Sequence, residues 1–166
     1  KGQFILFLNP DTQVESGVLD RSVNWMYENK EVGIMGCKLV KADGQPNLNS
    51  KPRRFPTLKD QLAIVFKLHH FSPKILDDYL LVGLNLEKEQ SVDSVQGAFL
   101  LVRRELIEKL GHAFDERFFI WFEDVDLCRE AKRLGYKVMY QPAWECIDYG
   151  GESFKKRNFV WKQFQF

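Results

Sequence analysis

The sequence predicts an α/β fold in which helices flank a mixed sheet. Residues 4–8 form a near-continuous apolar run, which is typical of a strand buried on both faces in a parallel sheet. Apolar positions recur at helical spacing over residues 16–29, and residues 32–41 alternate as a strand. A further helix over residues 123–135 precedes strand-like residues 136–140. Helices that alternate with strands in this way predict a sheet covered by helices.

The composition predicts one globular domain. With 166 residues, of which 45% are hydrophobic, the chain is long enough to bury a sizeable core. A net charge of +1 offers no bulk electrostatic attraction to DNA or to an anionic membrane, and we expect no nucleic-acid partner. Cys37, Cys128 and Cys146 are widely spaced in mostly apolar contexts, which fits a reduced compartment better than a disulfide scaffold or a zinc site. Because no apolar run has the length of a membrane span and no signal-peptide pattern is present, we expect a cytoplasmic protein.

The first strand has two consequences. A fully buried strand needs neighbours, and nothing upstream of Phe4 supplies them, so we expect the chain to be the later part of a longer protein. Pro10 ends the strand, since proline cannot continue a central ladder. Asp11 therefore lies just past the carboxyl end of a strand, where open α/β sheets bind ligands. Taken alone, Asp11 is more simply a turn residue bonded to local amides.

The stretch over residues 45–90 is the least regular part of the chain. Asp43-Gly44 before it predicts a tight turn. Residues 58–70 fit an amphipathic helix, and a long loop with its own helix is typically functional or contacts a partner. Arg53 and Arg54 could meet phosphate groups, although solvated surface arginines are commoner.

Two further strands complete the predicted sheet. Residues 92–103 form the clearer of them, and Gly97 in its interior predicts a bulge or the close approach of a ligand to the backbone. A short helix over residues 105–110 follows. The strand over residues 136–140 is expected to be closed by Pro142.

The helix over residues 123–135 is the most informative element. Its apolar stripe extends backwards to Glu123 and Asp124, so both carboxylates are expected to point inward at the helix entrance. Burying carboxylates is costly unless something uses them. Acids in a first helical turn are also ordinary complements of the helix dipole, and that interpretation is favoured when the helix is taken alone. The predicted stripe consists of Leu127, Cys128, Ala131 and Leu134.

The end of the chain divides into two parts. Residues 144–149 could form a short extended piece, which Gly150-Gly151 breaks. We expect residues 1–153 to belong to one domain and residues 154–166 to form a basic, aromatic tail. The tail's composition leaves open contact with a membrane, a partner subunit or a missing part of the protein.

Three motifs in a fixed order carry a family resemblance. They are Asn9-Pro10-Asp11-Thr12, the run QGAFLLVRR at residues 96–104, and FDERFF at residues 114–119 leading into FEDVDLC at residues 122–128. In this order they closely resemble the family two glycosyltransferases of the GT-A fold, particularly bacterial rhamnosyltransferase-like members. The resemblance covers residues 4–153 except the irregular 45–90 stretch, and implies a partial GT-A fold without the N-terminal nucleotide-binding half.

The resemblance implies a reaction and its partners. The donor would be a nucleotide sugar such as a UDP- or dTDP-sugar, transferred with inversion to the hydroxyl of a saccharide or lipid-linked saccharide in bacterial surface polysaccharide synthesis. A divalent cation, Mg²⁺ or Mn²⁺, would assist. Peripheral contact with the inner face of the membrane and assembly into an oligomer are both compatible with such a role.

The resemblance also implies donor-side residues. Asn9 stands where the family's D-x-D-type element has its first acid, and Asp11 remains as a metal ligand. Gly97 and Ala98 would lie near the donor sugar. The family often has a His shortly after its last core strand, and here that position is Asp148, an acceptable ligand for a hard cation.

On the acceptor side, the pair Glu123-Asp124 resembles the family's acidic motif. Asp124 would be the general base that takes the proton of the attacking hydroxyl, and Glu123 beside it would raise its proton affinity. Trp121 would be a platform for the acceptor sugar.

Two alternatives differ in class from a transferase. Asn9, Asp148 and the absent nucleotide-binding half also fit a non-catalytic binding or assembly module. An unrelated two-carboxylate hydrolase ranks last, because it predicts neither the Asn9-Pro10-Asp11 turn nor the Gly97 strand. The transferase interpretation requires Asp11 and Asp124 to converge on one cleft at the carboxyl edge of the sheet.

Overall fold

The computed structural model describes residues 2–118 and 122–150. The strands are β1 (Phe4–Leu8), β2 (Thr12–Val14), β3 (Val32–Val40), β4 (Gln90–Ser91), β5 (Phe99–Arg103) and β6 (Lys137–Asp148). The helices are α1 (Val18–Glu28), α2 (Leu58–Val65), α3 (Arg104–Leu110) and α4 (Glu123–Arg133). Short 3₁₀ turns lie at Leu48–Ser50, Leu68–His70 and Pro73–Leu76.

The strands form one mixed sheet, in the order β1-β5-β3-β6-β2, with β4 paired to β6. Only β3 and β6 run parallel among the described pairs. Every residue of β3 is buried, because the strand has neighbours along both edges and a core on both faces. The predicted α/β class with a mixed sheet is thereby confirmed.

Helices cover both faces of the sheet. Ile34 and Met35 are successive residues of β3, so their side chains enter opposite cores. One core packs against α3 and α4, and the other packs against α1. A third, smaller cluster joins Ala63, Leu76 and Tyr79 within the irregular stretch. The three cysteines are buried as free thiols, in agreement with their apolar contexts.

β1 differs from its prediction. It pairs antiparallel with β5, from Phe4 opposite Arg103 to Leu8 opposite Phe99, and lies at one end of the described strand order. Its residues are half-buried, apart from the exposed Leu8. The prediction of a strand buried on both faces of a parallel sheet is wrong here, because β1 is antiparallel, is only half-buried, and has a neighbour along one edge only among the described strands.

Proline has a milder effect in β6 than the sequence predicts. The strand continues through Pro142 instead of closing there. The pairing of β3 with β6 shifts at this point, since Cys37 lies opposite Gln141 whereas Lys38 lies opposite Glu145. An irregularity of this kind places Pro142 where no ladder hydrogen bond is needed.

Two other elements are shorter than predicted. The strand expected over residues 92–103 begins only at Phe99, and residues 92–98 are irregular although Val92 and Val95 are buried. The helix expected over residues 58–70 ends at Val65. In the described ranges of the chain, no helix combines the length and apolarity needed to cross a membrane.

Candidate active site

The site begins where the chain enters α4. Phe122, the residue before the helix, has a φ of +68°, an uncommon left-handed conformation for a bulky side chain. Its carbonyl accepts a hydrogen bond from the Asp126 amide at 2.8 Å. Backbone strain of this type costs about 1–3 kcal/mol and is concentrated at functional sites. The turn places Glu123 and Asp124 at the first two positions of the helix.

The carboxylate of Asp124 is held by two backbone amides. Gly97 donates to Oδ2 at 2.8 Å, and Val125 donates to Oδ1 at 2.8 Å. A Cβ added at Gly97 would lie 3.4 Å from the same Oδ2, at the edge of van der Waals contact. The sequence predicted a bulge or the close approach of a ligand at Gly97, and the group that approaches its backbone in this structure is the Asp124 side chain.

Burial sets the acidity of both carboxyl groups. It raises the pKa of Asp124 above its usual value, while the amides of Gly97 and Val125 and the charge of Arg53 oppose that rise. Burial also raises the pKa of Glu123, and the neighbouring charge of Asp124 adds to the effect. Desolvation is therefore the main cause of the rise at Asp124, and the expected contribution of Glu123 to it stays a prediction. One oxygen of Glu123, Oε2, is buried without a hydrogen-bond partner.

The end of β1 lies beside Gly97. The Asn9 amide donates to the Ala98 carbonyl at 3.1 Å, so Asn9 is next to the residue that follows Gly97. Asn9, Gly97, Ala98 and Asp124 thus form a continuous path of contacts. Asp11 follows two residues later, and its carbonyl accepts a hydrogen bond from the Tyr149 amide at 3.0 Å.

Asp148 lies close to Asp11 in the sheet, because Thr12, the residue after Asp11, is opposite Asp148 in the β2–β6 pairing. The Asp148 side chain is buried, and Oδ2 accepts from Asn47 Nδ2 at 3.0 Å and from Ser50 Oγ at 2.9 Å. Oδ1 accepts from the Gly150 amide at 3.0 Å. A carboxylate has about four acceptor positions, so these bonds leave Asp148 roughly one for a cation.

The donor set fits a hard divalent cation that shares its coordination with other ligands. No group of three or more His, Cys, Asp or Glu side chains within residues 2–118 and 122–150 forms a metal cage. Mg²⁺ commonly uses only one or two carboxylates and completes its octahedron with water and substrate phosphates. Asp11 and Asp148 can supply those carboxylates, and the hydroxyl of Thr12 beside them is buried without a partner.

Arg53, for which the sequence favoured solvated surface over contact with phosphate groups, acts electrostatically on Asp124. Its backbone exchanges two hydrogen bonds with Ser94, and Nη2 donates to the Asn49 carbonyl at 2.9 Å. Its Nε is buried without a partner, and its guanidinium lies 5.8 Å from the centre of the Tyr79 ring. The pairing with Ser94 links residues 41 positions apart, which the local sequence cannot indicate.

Some predicted positions fall elsewhere. Trp121, the expected acceptor platform, lies outside the described residues, as do residues 154–166 of the basic tail. Asn47 and Ser50 were not predicted as site residues, although they hold Asp148 in place. An asparagine before a 3₁₀ turn and a serine at its end were the only local signals for them.

Comparison with known proteins finds a matching family and several relatives. The family model described as "Glycosyltransferase like family 2" matches residues 1–161. The chain is 28% identical over 161 residues to the rhamnosyltransferase WbbL of Escherichia coli (strain K12), covering 95% of this chain and 58% of that protein. It is also 28% identical over 152 residues to the N-acetylglucosaminyl-diphospho-decaprenol L-rhamnosyltransferase of Mycobacterium tuberculosis (strain ATCC 25618 / H37Rv), covering 90% of this chain and 48% of that protein.

A third relative differs mainly in size. The O-antigen biosynthesis protein RfbC of Myxococcus xanthus is 30% identical over 143 residues, which cover 83% of this chain and 10% of RfbC. The chain spans about half the length of the two rhamnosyltransferases it matches.

Proposed function

Because this chain belongs to the glycosyltransferase-like family 2, we propose that it supplies the catalytic and acceptor-side residues of an inverting glycosyltransferase. The enzyme would transfer a sugar, a hexose such as rhamnose, from a UDP- or dTDP-sugar to a saccharide or lipid-linked saccharide. The observation that carries this proposal is the position of Asp124, held by Gly97 beside the end of β1. The names of the relatives support a role in bacterial surface polysaccharide synthesis.

Asp124 is the proposed general base. Each of its oxygens accepts one backbone hydrogen bond, which leaves a lone pair free on each for the proton of an acceptor hydroxyl. Burial makes the carboxylate a stronger base than one in water, since it raises the pKa. The two amides and the Arg53 charge oppose that rise and favour the ionised form, which a base must have. Glu123 lies next to it and shares the partly buried entrance of α4.

The donor would lie on the other side of Gly97. Asn9, Gly97 and Ala98 line the end of β1, and their backbone would pack against the donor sugar. Asp11 and Asp148 would hold Mg²⁺ or Mn²⁺. When bound, such a cation neutralises the charge of a leaving nucleoside diphosphate. Trp121 stays a proposed acceptor platform.

The decisive experiment replaces Asp124 by Asn in the natural full chain. Loss of a general base lowers turnover by about 10²–10⁴-fold, while donor affinity is retained. Transfer is measured with an acceptor saccharide, and donor binding by calorimetry with UDP- and dTDP-sugars plus Mn²⁺. Asp126→Asn, in the same helical turn, is the matched control and should retain turnover. Unchanged turnover in Asp124→Asn would remove Asp124 as the base.

The non-catalytic alternative has one observation in its favour. Three of the acceptor positions of Asp148 are already used by Asn47, Ser50 and Gly150, which is typical of a structural carboxylate. A binding module would retain donor affinity in the wild-type full chain yet transfer no sugar to any acceptor. The same calorimetry and transfer assays therefore separate the two functions.

A further inference from the structure

The helix α2 turns its apolar side chains toward solvent. Asp60 and Ala63 are buried, whereas Leu58, Leu62 and Val65 are 76%, 45% and 69% exposed. At about 100° per residue, the three exposed side chains lie within about 60° of one another around the helix axis. A surface helix normally presents its apolar stripe to the core. Here the stripe faces outward.

The exposed apolar surface continues beyond the helix. Phe66, Leu68 and Phe71 follow α2 in the chain, and Phe71 is 89% exposed. Single exposed apolar residues are ordinary, but six in fourteen consecutive positions indicate an interaction surface. The exposed side chains that we call the apolar patch are Leu58, Leu62, Val65, Phe66, Leu68 and Phe71.

The segment is nevertheless well anchored. Thr57 and Asp60 form a reciprocal capping box at the start of α2. Ala63, Leu76 and Tyr79 pack in a core beneath the helix. The patch is therefore a structured surface and not an unfolded loop.

The stretch of sequence that carries the patch is basic. Residues 51–76 contain six basic residues and one acid, a net charge of +5, whereas the other 140 residues of the chain carry −4. The single acid, Asp60, is buried and used in the capping box. Four of the basic residues are exposed, and none of these four forms an ion pair with another described residue. They are Arg54, Lys59, Lys67 and Lys74.

This combination of apolar and basic groups determines the partner that fits. A second copy of the chain, or a further part of the protein, would bury the apolar side chains but would have to supply acids for the lysines. The surface of a bilayer with anionic lipids offers both, because its interface takes apolar side chains while its headgroups attract Lys and Arg.

The patch is also connected to the candidate active site. The amide of Arg54 donates to the Tyr79 carbonyl at 3.0 Å, and the Arg53 guanidinium lies 5.8 Å from the Tyr79 ring centre. Arg53 in turn acts electrostatically on Asp124. The core beneath the patch therefore contacts Arg53, whose charge acts on the proposed base.

We propose that the apolar patch and its flanking basic residues bind the surface of a bilayer that contains anionic lipids. In this position the chain would hold Asp124 near an acceptor presented by a lipid, a consequence that rests on the proposed function. The bilayer contact itself does not depend on it.

Co-sedimentation with vesicles tests the contact. The natural full chain should bind vesicles of phosphatidylcholine with phosphatidylglycerol, and binding should fall in high salt and with phosphatidylcholine alone. The double variants Phe66→Ser/Phe71→Ser and Lys67→Gln/Lys74→Gln should each lower the partition coefficient by about tenfold or more. Leu19→Ser/Tyr27→Ser, at exposed positions on α1, is the matched control and should bind as wild type.

Three outcomes would overturn the proposal. The proposal is wrong if the wild-type chain does not bind the anionic vesicles. It is also wrong if Phe66→Ser/Phe71→Ser binds them as the wild type does. Light scattering that shows a dimer abolished by that variant, without vesicle binding, would assign the patch to a second copy.

Transfer assays separate this inference from the proposed function. The Phe66→Ser/Phe71→Ser variant should transfer normally to a water-soluble saccharide acceptor while losing transfer to a lipid-linked acceptor in vesicles. Asp124→Asn should lose both reactions and still bind vesicles.

Discussion

The guanidinium of Arg53 acts on Asp124 without an ion pair between them in the described structure. Its charge favours the ionised form of the carboxyl group, whereas burial favours the neutral form. The balance between the two decides the pH at which Asp124 can accept a proton. We therefore predict that the charge of Arg53 tunes the acidity of the proposed base.

Replacing Arg53 by Gln should move the acid limb of the kcat–pH profile to higher pH. Removal of the positive charge raises the pKa of Asp124 further, so a larger fraction is protonated and inactive at low pH. Turnover should recover as the pH rises above the new pKa. The pH dependence of kcat in the natural full chain measures the shift, with the exposed Arg54→Gln as control. An acid limb that stays in place would show that Arg53 has no electrostatic role.

Glu123 offers a stability test at the same scale. The pKa of Glu123 is raised in the folded state, so ionisation of this group opposes folding. The cost is full above the folded-state pKa, shrinks as the pH falls through that pKa, and is gone below the unfolded-state pKa. Glu123→Gln should therefore raise the free energy of unfolding at neutral pH, and the gain should vanish in acid. Urea titrations at several pH values measure it, with the exposed Glu108→Gln as control. A loss of stability at neutral pH would contradict the prediction.

Among the elements, the 3₁₀ turn Leu48–Ser50 has the clearest mechanical role. It brings Ser50 against Asp148, so a turn in the irregular stretch supports the end of β6. Hydrogen bonds to a charged group contribute about 1.5–3 kcal/mol each. We expect Ser50→Ala to lower the free energy of unfolding by about that amount, as measured by urea denaturation.

The neighbouring residue provides the control for that variant. The side chain of Asn49 forms no hydrogen bond with the other described residues, so Asn49→Ala should be nearly neutral. Equal effects of the two substitutions would indicate that the bond to Asp148 contributes nothing particular.

Element boundaries show where sequence reasoning succeeds. Gly111 and Gly135 end α3 and α4 with φ values of +79° and +85°, because only a glycine adopts that region without strain. Local chemistry determines such ends, and the predicted helix ends at residues 110 and 135 lie within two residues of the observed ones. The three-residue strand β2 was missed, since its existence depends on β6 and not on its own residues.

The candidate site likewise contains residues that local sequence indicates and residues that only tertiary pairing reveals. Gly97 and the Glu123-Asp124 pair stood out because their residue types are unusual at those positions, and the structure brings Gly97 and Asp124 into contact. Asn47 did not stand out, and solvated surface was favoured for Arg53, because their partners lie 101 and 41 positions away in the chain. Tertiary pairing over such separations has no local pattern. The outward orientation of α2 is equally invisible, since periodicity identifies an apolar stripe and not the side it faces.

At the scale of the whole molecule, the proposed donor and cation sites couple ligand binding to folding. The residues of these sites come from the end of β1, the loop before β5 and the end of β6. Ligands held there would therefore stabilise several elements at once. A ligand at about 100 times its dissociation constant stabilises the native state by about 2.7 kcal/mol. Donor and cation together should therefore raise the Tm of the natural full chain.

Asp11 provides the discriminating variant for this coupling. Thermal unfolding of the natural full chain would be followed with Mn²⁺ alone, with a UDP- or dTDP-sugar alone, and with both. Asp11→Asn should abolish the increase that requires Mn²⁺, because the variant lacks the carboxylate that a hard cation prefers. Asp43→Asn, in the exposed turn after β3, should respond as wild type. If Asp11→Asn keeps the full Mn²⁺-dependent increase, the cation is held by other residues. That result would also exclude a cation shared between Asp11 and the single free acceptor position of Asp148.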